Sequence, residues 1–132
     1  MGERQRVSSG VVWEESVGYS RAVRVGDHVW VAGTTAAGAD GDPVCGDDAY
    51  EQAREALRRI VAALSEVGAS AADVVRTRMY TTDIAFWAEI GRAHGEVFGD
   101  VRPATSMVQV SGLIDPAMLV EIEADAVRGA GA

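Results

Sequence analysis

A strictly alternating segment near the end of the chain places the strongest constraint on the fold. Residues 119 to 127 read LVEIEADAV, so that apolar side chains occupy every second position. The apolar members are Val120, Ile122, Ala124 and Ala126, and the acidic members between them are Glu121, Glu123 and Asp125. Because successive side chains of a strand point to opposite faces, this pattern predicts a strand with one buried face and one row of carboxylates. The chain therefore has to form a sheet that is covered on one side.

Four other segments of the chain also have the period and composition of strands. They are residues 11 to 17, 20 to 25, 28 to 34 and 74 to 82. A sixth strand is predicted over residues 105 to 110, where alternate side chains face opposite sides. One of its faces carries Thr105, Met107 and Gln109, and the other carries Ser106, Val108 and Val110.

Two segments have helical spacing and recognisable ends. Asp48 with Glu51 three residues later makes a capping-box-like start to a helix that ends at Gly68. A second helix begins at Thr82 or Asp83 and stops at Gly99. Three strands, a helix, a strand, a helix and two strands predict an α+β fold, a six-stranded mixed sheet with both helices packed on one face.

Composition limits the classes of function. The 132 residues suit a single domain over residues 1 to 132, which can bury a core without disulfides. A formal net charge of −8 argues against nucleic acid as a partner, because nonspecific binding to phosphate backbones needs clustered cations. All twelve basic residues are arginine, which excludes a lysine Schiff base.

Targeting and cofactor signals are also missing from the sequence. Cys45 is the single cysteine, and the first ten residues, MGERQRVSSG, have no apolar signal-peptide core. No segment approaches the roughly 20 apolar residues of a membrane helix. His28 and His94 are the only histidines, and neither has metal-site spacing. We therefore expect a cytoplasmic protein that uses no metal or other cofactor and has no membrane partner.

Two motifs in the second half of the chain resemble a known family. PATS at residues 103 to 106, followed by VEIEA at residues 120 to 124, is similar to the PA-x-S and VEIEA motifs of the RidA/YjgF family. The tyrosine, glycine turn and strand of residues 19 to 34 agree with the same family, and the resemblance covers residues 17 to 128. Its best-studied members are small trimers that hydrolyse reactive enamines and imines.

The resemblance implies an assembly and a set of site residues. It implies a RidA-like, or chorismate-mutase-like, fold and a homotrimer that binds a small molecule in clefts between subunits. Glu121 matches the family glutamate that positions water for imine hydrolysis, and the alternative is a plain salt bridge. Tyr19 matches the tyrosine at the cleft mouth, and Gly33 matches the place where backbone approaches the ligand.

Thr105 departs from the pattern of the deaminating members. They carry at this position an arginine that holds the substrate carboxylate, whereas threonine offers one uncharged hydroxyl. Arg102 could replace that arginine, another subunit could supply one, or the ligand could lack a carboxylate. In the last case Thr105 and Ser106 would bond a carbonyl or hydroxyl group, and Met107 would form an apolar wall.

Two hypotheses about function follow. The first is an enamine or imine deaminase of altered substrate range, with water activated by Glu121. The second is a non-catalytic trimer that binds a small molecule. The ribonuclease activity once attributed to the family finds little support in so acidic a chain.

Overall fold

The acidic alternating segment lies in the interior of a six-stranded mixed sheet, and the α+β class predicted from the sequence is confirmed. The computed structural model describes residues 3 to 131. Its strands are β1 (Arg4–Val7), β2 (Ala22–Val25), β3 (His28–Thr34), β4 (Val74–Thr81), β5 (Ala104–Gln109) and β6 (Val120–Val127). Their spatial order is β1-β2-β3-β6-β4-β5, so β1 and β5 form the edges. β4 and β5 are parallel, and the other neighbours are antiparallel.

Three helices accompany the sheet in the described part of the chain. They are α1 (Val12–Val17), α2 (Ala49–Glu66) and α3 (Trp87–Phe98), with short 3-10 helices at Ala71–Asp73 and Ile84–Phe86. α2 begins as predicted, because the Asp48 side chain accepts a hydrogen bond from the Glu51 backbone N–H at 3.1 Å. Among residues 3 to 131, no helix has both the length and the apolar character needed to cross a membrane.

The structure corrects the prediction at the start of the chain. Residues 11 to 17 were expected to form a strand, but Val12–Val17 is a helix, and the first strand is Arg4–Val7 instead. The physical reason is Glu14, whose carboxylate is buried and accepts hydrogen bonds from Ser8 and Ser9 rather than pointing to solvent. The helix ends at Gly18, which has a φ of 93°. The strand count of six therefore holds with a different first strand, and a third helix is added.

The two faces of the sheet differ as the alternation predicts. On the face that packs against α2, all four apolar side chains of β6 are buried, and Thr77, Met79 and Thr81 of β4 are buried with them. The other face carries the acidic side chains. There the Arg78 guanidinium lies 3.2 Å from Asp125 and 3.4 Å from Glu123, which also accepts a hydrogen bond from the Tyr80 hydroxyl at 2.8 Å. Arginine and carboxylate thus compensate each other on the polar face.

Gln52 connects α2 to the strand that carries the acidic row. It is fully buried within the apolar side of the helix. Its amide nitrogen donates to the carbonyls of Gly46 at 2.6 Å and Ala117 at 3.1 Å, and its oxygen accepts from the Leu119 N–H at 2.8 Å. One side chain therefore fixes the backbone on both sides of the helix start, including the segment that leads into β6.

Replacing Gln52 by leucine should destabilise the protein although the residue becomes more apolar. Gln52→Leu removes three part-buried hydrogen bonds between the side chain and the backbone, which we expect to lower the free energy of unfolding by about 2–4 kcal/mol. Urea denaturation would measure the loss. The control is Gln5→Leu on the exposed edge strand, which should change stability by less than about 0.5 kcal/mol. Equal effects of the two substitutions would contradict this role of Gln52.

Candidate functional site

A cavity of about 780 Å³ brings together three of the residues that the sequence predicts for the site. Tyr19, Gly33 and Glu121 all line it. Trp13 of α1 and Ile114, from the segment before β6, supply apolar walls. The cavity thus combines apolar surface with a few polar groups, which is typical of small-molecule sites.

Glu121 lies directly over Gly33 inside this cavity. A Cβ atom added to Gly33 would come within 2.7 Å of the Glu121 Cδ and 2.8 Å of its Oε2. Real side chains do not approach this closely, so any other residue at position 33 would displace the carboxylate. The pairing of β3 with β6 shifts register between Val31 and Thr34, next to this contact. Glycine is therefore needed here for close approach and not for turn formation.

The environment of Glu121 raises the proton affinity of its carboxylate. Burial raises the pKa of the Glu121 carboxyl above its usual value, the neighbouring Glu123 carboxylate raises it further, and Arg21 partly offsets both. A carboxyl group whose pKa is raised is better suited to take up and return a proton near neutral pH. An ionised carboxylate with a raised pKa is also a stronger base toward water.

A buried arginine that the sequence analysis did not single out holds the floor of the cavity. The Arg21 side chain donates from Nη1 to the Gly33 carbonyl at 2.7 Å and to the Thr34 hydroxyl at 3.0 Å. Its Nε lies 3.4 Å from the Glu14 carboxylate, and its Nη2 lies 3.4 Å from the Tyr19 hydroxyl. Arg21 therefore bonds Gly33 and lies beside the Tyr19 hydroxyl, and its charge acts on the Glu121 carboxyl.

Glu14 completes this network from α1. Burial alone would raise the pKa of Glu14, but hydrogen bonds from Ser9 and Ser8 and the charge of Arg21 hold it below its usual value. The carboxylate accepts from the Ser8 hydroxyl at 3.1 Å and from the backbone N–H and hydroxyl of Ser9. An ionised Glu14 thus balances the buried guanidinium. In the sequence, the only sign of this network is that Arg21 lies two residues after Tyr19, a predicted site residue.

The other predicted site residues lie elsewhere in the chain. Arg102, Thr105, Ser106 and Met107 belong to the edge strand β5 and the turn before it, outside the cavity. Thr105 is in register with Thr77 and shares its face of the sheet, whereas Glu121 projects from the opposite face. Within one chain, Thr105 and Glu121 therefore cannot contact the same small molecule.

Side chains around Thr105 form a second polar cluster. The Thr105 hydroxyl lies 2.8 Å from that of Thr77, which in turn lies 2.8 Å from Nε2 of His94 on α3. Arg102 is exposed on the turn, at a positive φ of 55°. From the sequence, His94 was a candidate only for a metal site. The pairing of Thr77 with Thr105 depends on the register of β4 and β5, which the sequence does not show.

A reactive cysteine and a metal site receive less support from the structure. Burial, followed by the nearby carboxylates of Glu55 and Glu51, raises the pKa of the Cys45 thiol, which disfavours the nucleophilic thiolate. Within residues 3 to 131, histidine, cysteine and acidic side chains do not gather in groups of three that could hold a metal ion.

Comparisons with known proteins agree on one family. The family model described as endoribonuclease L-PSP matches residues 13 to 128. The crystal structure of Rv2704 from Mycobacterium tuberculosis, a member of the YjgF/YER057c/UK114 family, is similar with a TM-score of 0.86 and 56% identity, covering 95% of this chain and 99% of that one. An uncharacterized protein of Streptomyces coelicolor is 46% identical over 96% of this chain and 93% of its own length. The 3-aminoacrylate deaminase RutC of Acinetobacter baylyi is 35% identical over 79% of this chain and 82% of its own length.

The raised pKa of Glu121 has a measurable consequence for stability. A carboxyl whose pKa is higher in the folded than in the unfolded chain stabilises the fold below its unfolded pKa, and this contribution is lost as pH rises through the folded pKa. Glu121→Gln should therefore be more stable than the wild type at about pH 7, with the difference shrinking toward about pH 4. Urea denaturation at both values would measure it.

Asp125→Asn serves as the control for this experiment. Its carboxylate pairs with Arg78 at 3.2 Å, so the substitution should not increase stability at neutral pH. An increase of the same size in both variants, or none in Glu121→Gln, would show that burial of Glu121 does not favour its neutral form.

Proposed function

We propose that this chain, which belongs to the endoribonuclease L-PSP family of YjgF/RidA proteins, hydrolyses a reactive enamine or imine. The observation that carries the proposal is the Glu121 carboxyl, which lies over Gly33 in a cavity with Tyr19 and has a raised pKa. The name of the Acinetobacter relative, 3-aminoacrylate deaminase, supports the reaction class.

In the proposed reaction water attacks the carbon of an imine that is protonated on nitrogen. Glu121 accepts a proton from that water as its oxygen bonds to carbon and the C=N electron pair moves to nitrogen. Glu121 then returns the proton to nitrogen. As the C–N bond breaks, the new hydroxyl group gives its proton to the Glu121 carboxylate, its O–H electron pair forms the C=O bond, and a carbonyl compound and ammonia leave. We expect the Tyr19 hydroxyl, which lies beside Arg21 in the lining of the cavity, to bond the substrate.

We propose further that the site is completed by a second copy of the chain in a homotrimer. Thr105 and Glu121 face opposite sides of their own sheet, so one ligand can meet both only if they come from different subunits. The polar face also exposes Trp30, whose accessible fraction is 46%, beside Asp125 and the Arg78 pairs. An aromatic side chain within paired charges is typical of a protein interface.

The second candidate function is a trimer that binds a small molecule without turning it over. Thr105 favours this alternative, because it cannot form the planar, bidentate contact with a carboxylate that an arginine gives. The cavity and its polar groups would then serve recognition alone.

Ammonia release tests the hydrolase proposal directly. Imines made in situ by a flavin amine or amino-acid oxidase should lose ammonia faster with the protein than without it. Glu121→Gln should reduce kcat by about 100-fold or more, because general acid–base catalysis contributes on that scale. Glu89→Gln, on the exposed surface of α3, should retain the wild-type rate. If the intact trimer accelerates the hydrolysis of no imine, the hydrolase proposal is wrong and the binding alternative remains.

Light scattering after size-exclusion chromatography tests the assembly. We expect a mass three times that of one chain for the wild type. Trp30→Glu would place a further carboxylate opposite Asp125 on the polar face and should shift the protein toward monomers. A monomeric wild type would contradict the proposed intersubunit site.

A further inference from the structure

A chain of hydrogen bonds leads from α3 to the exposed hydroxyl of Thr105. His94 Nε2 lies 2.8 Å from the Thr77 hydroxyl, which lies 2.8 Å from that of Thr105. The Thr105 hydroxyl is in turn 3.1 Å from the carbonyl of Pro103. Thr77 is fully buried, whereas Thr105 is exposed at the sheet edge. A half-buried imidazole is thereby connected to a surface hydroxyl.

Counting donors and acceptors gives this series of hydrogen bonds a preferred direction. If His94 donates from Nε2 to Thr77, then Thr77 donates to Thr105 and Thr105 donates to the Pro103 carbonyl, so that three bonds form. In the reverse direction Thr105 donates to Thr77 and Thr77 to His94, and the Pro103 carbonyl loses its bond. Because only the first direction makes all three hydrogen bonds at the observed distances, it is favoured.

We propose that this relay presents the Thr105 hydroxyl as a hydrogen-bond donor to an uncharged carbonyl oxygen of the ligand, such as that of a carboxamide. The ligand oxygen takes the place of the Pro103 carbonyl as acceptor, and His94 is a positioning residue that acts through Thr77. The inference rests on the proposed function, since it names the ligand class of the same site.

Charge at the two parts of the site favours an uncharged ligand. In the cavity, Arg21 is paired with Glu14, and Arg58 and Arg59 both bind Glu55 at 2.7 Å. Beside the relay, Arg102 is exposed, so solvent screens its charge. Burial lowers the pKa of His94, which keeps the imidazole neutral at pH 7. A carboxylate bound at Thr105 would lose hydration without gaining a dedicated cation.

The tautomer of His94 reports the relay without any ligand. In protein labelled with 15N at histidine, NMR distinguishes Nε2–H from Nδ1–H, and His28, exposed on β3, provides an internal reference. Thr105→Val removes the acceptor of the Thr77 hydrogen, so Thr77 is freed to donate to His94. The Nδ1–H fraction of His94 should then rise while His28 stays unchanged. Thr105→Ser retains a hydroxyl and should restore the wild-type signal.

Pyruvamide and pyruvate form a matched pair of probes for the ligand class, because they differ only in a carboxamide and a carboxylate. The wild type should bind pyruvamide more tightly in NMR titrations. Thr105→Val should weaken pyruvamide binding roughly three- to ten-fold, the effect of one hydrogen bond. Thr105→Arg should reverse the preference in favour of pyruvate.

The outcomes separate this inference from the proposed hydrolysis. Tighter binding of pyruvate by the wild type, binding of neither probe, or a His94 signal that Thr105→Val leaves unmoved would overturn the inference, even if imines are hydrolysed. The expected preference and tautomer shift would support it even if no ammonia is released, because neither readout requires turnover.

Discussion

The buried guanidinium of Arg21 is the interaction on which the candidate site depends. It bonds the Gly33 carbonyl and the Thr34 hydroxyl, and thereby fixes the irregular end of β3 where Glu121 passes within contact distance of Gly33. Its charge is balanced by Glu14, whose burial requires the turn of α1 and the hydrogen bonds of Ser8 and Ser9. Removing either charge would leave the other buried and unpaired, so the pair specifies a single arrangement of the cavity floor.

The sheet then divides the functional residues between its two faces. Glu121 belongs to the polar face and Thr105 to the face that holds the core, because strand alternation admits no other arrangement once Val120 and Ile122 are buried. A site that uses both residues has to be assembled from two chains. The same alternation that stabilises the fold therefore makes catalysis, as proposed, a property of the oligomer.

Features that depend on local sequence were predictable, and those that depend on distant contacts were not. The alternation of β6, the Asp48 cap of α2 and the family resemblance are confirmed, since each is visible in a short segment. The strand predicted over residues 11 to 17 was wrong because burial of Glu14 against Arg21 is a tertiary contact. The hydrogen bonds of Gln52 and the Thr77–His94 bond were not predicted, because they too join residues that are distant in the sequence. Tyr19, Gly33 and Glu121 do meet in one cavity, whereas the roles of Arg102, Ser106 and Met107 stay predictions.

A crystal structure of the assembled protein with bound pyruvamide would test most directly whether Thr105 and Glu121 of different subunits bind one ligand. We expect one ligand molecule within hydrogen-bond distance, about 3 Å, of Thr105 from one subunit, with Glu121 of a neighbouring subunit facing its ketone carbon. Ligand density in the cavity of a single chain, with every Thr105 remote from every Glu121, would contradict it.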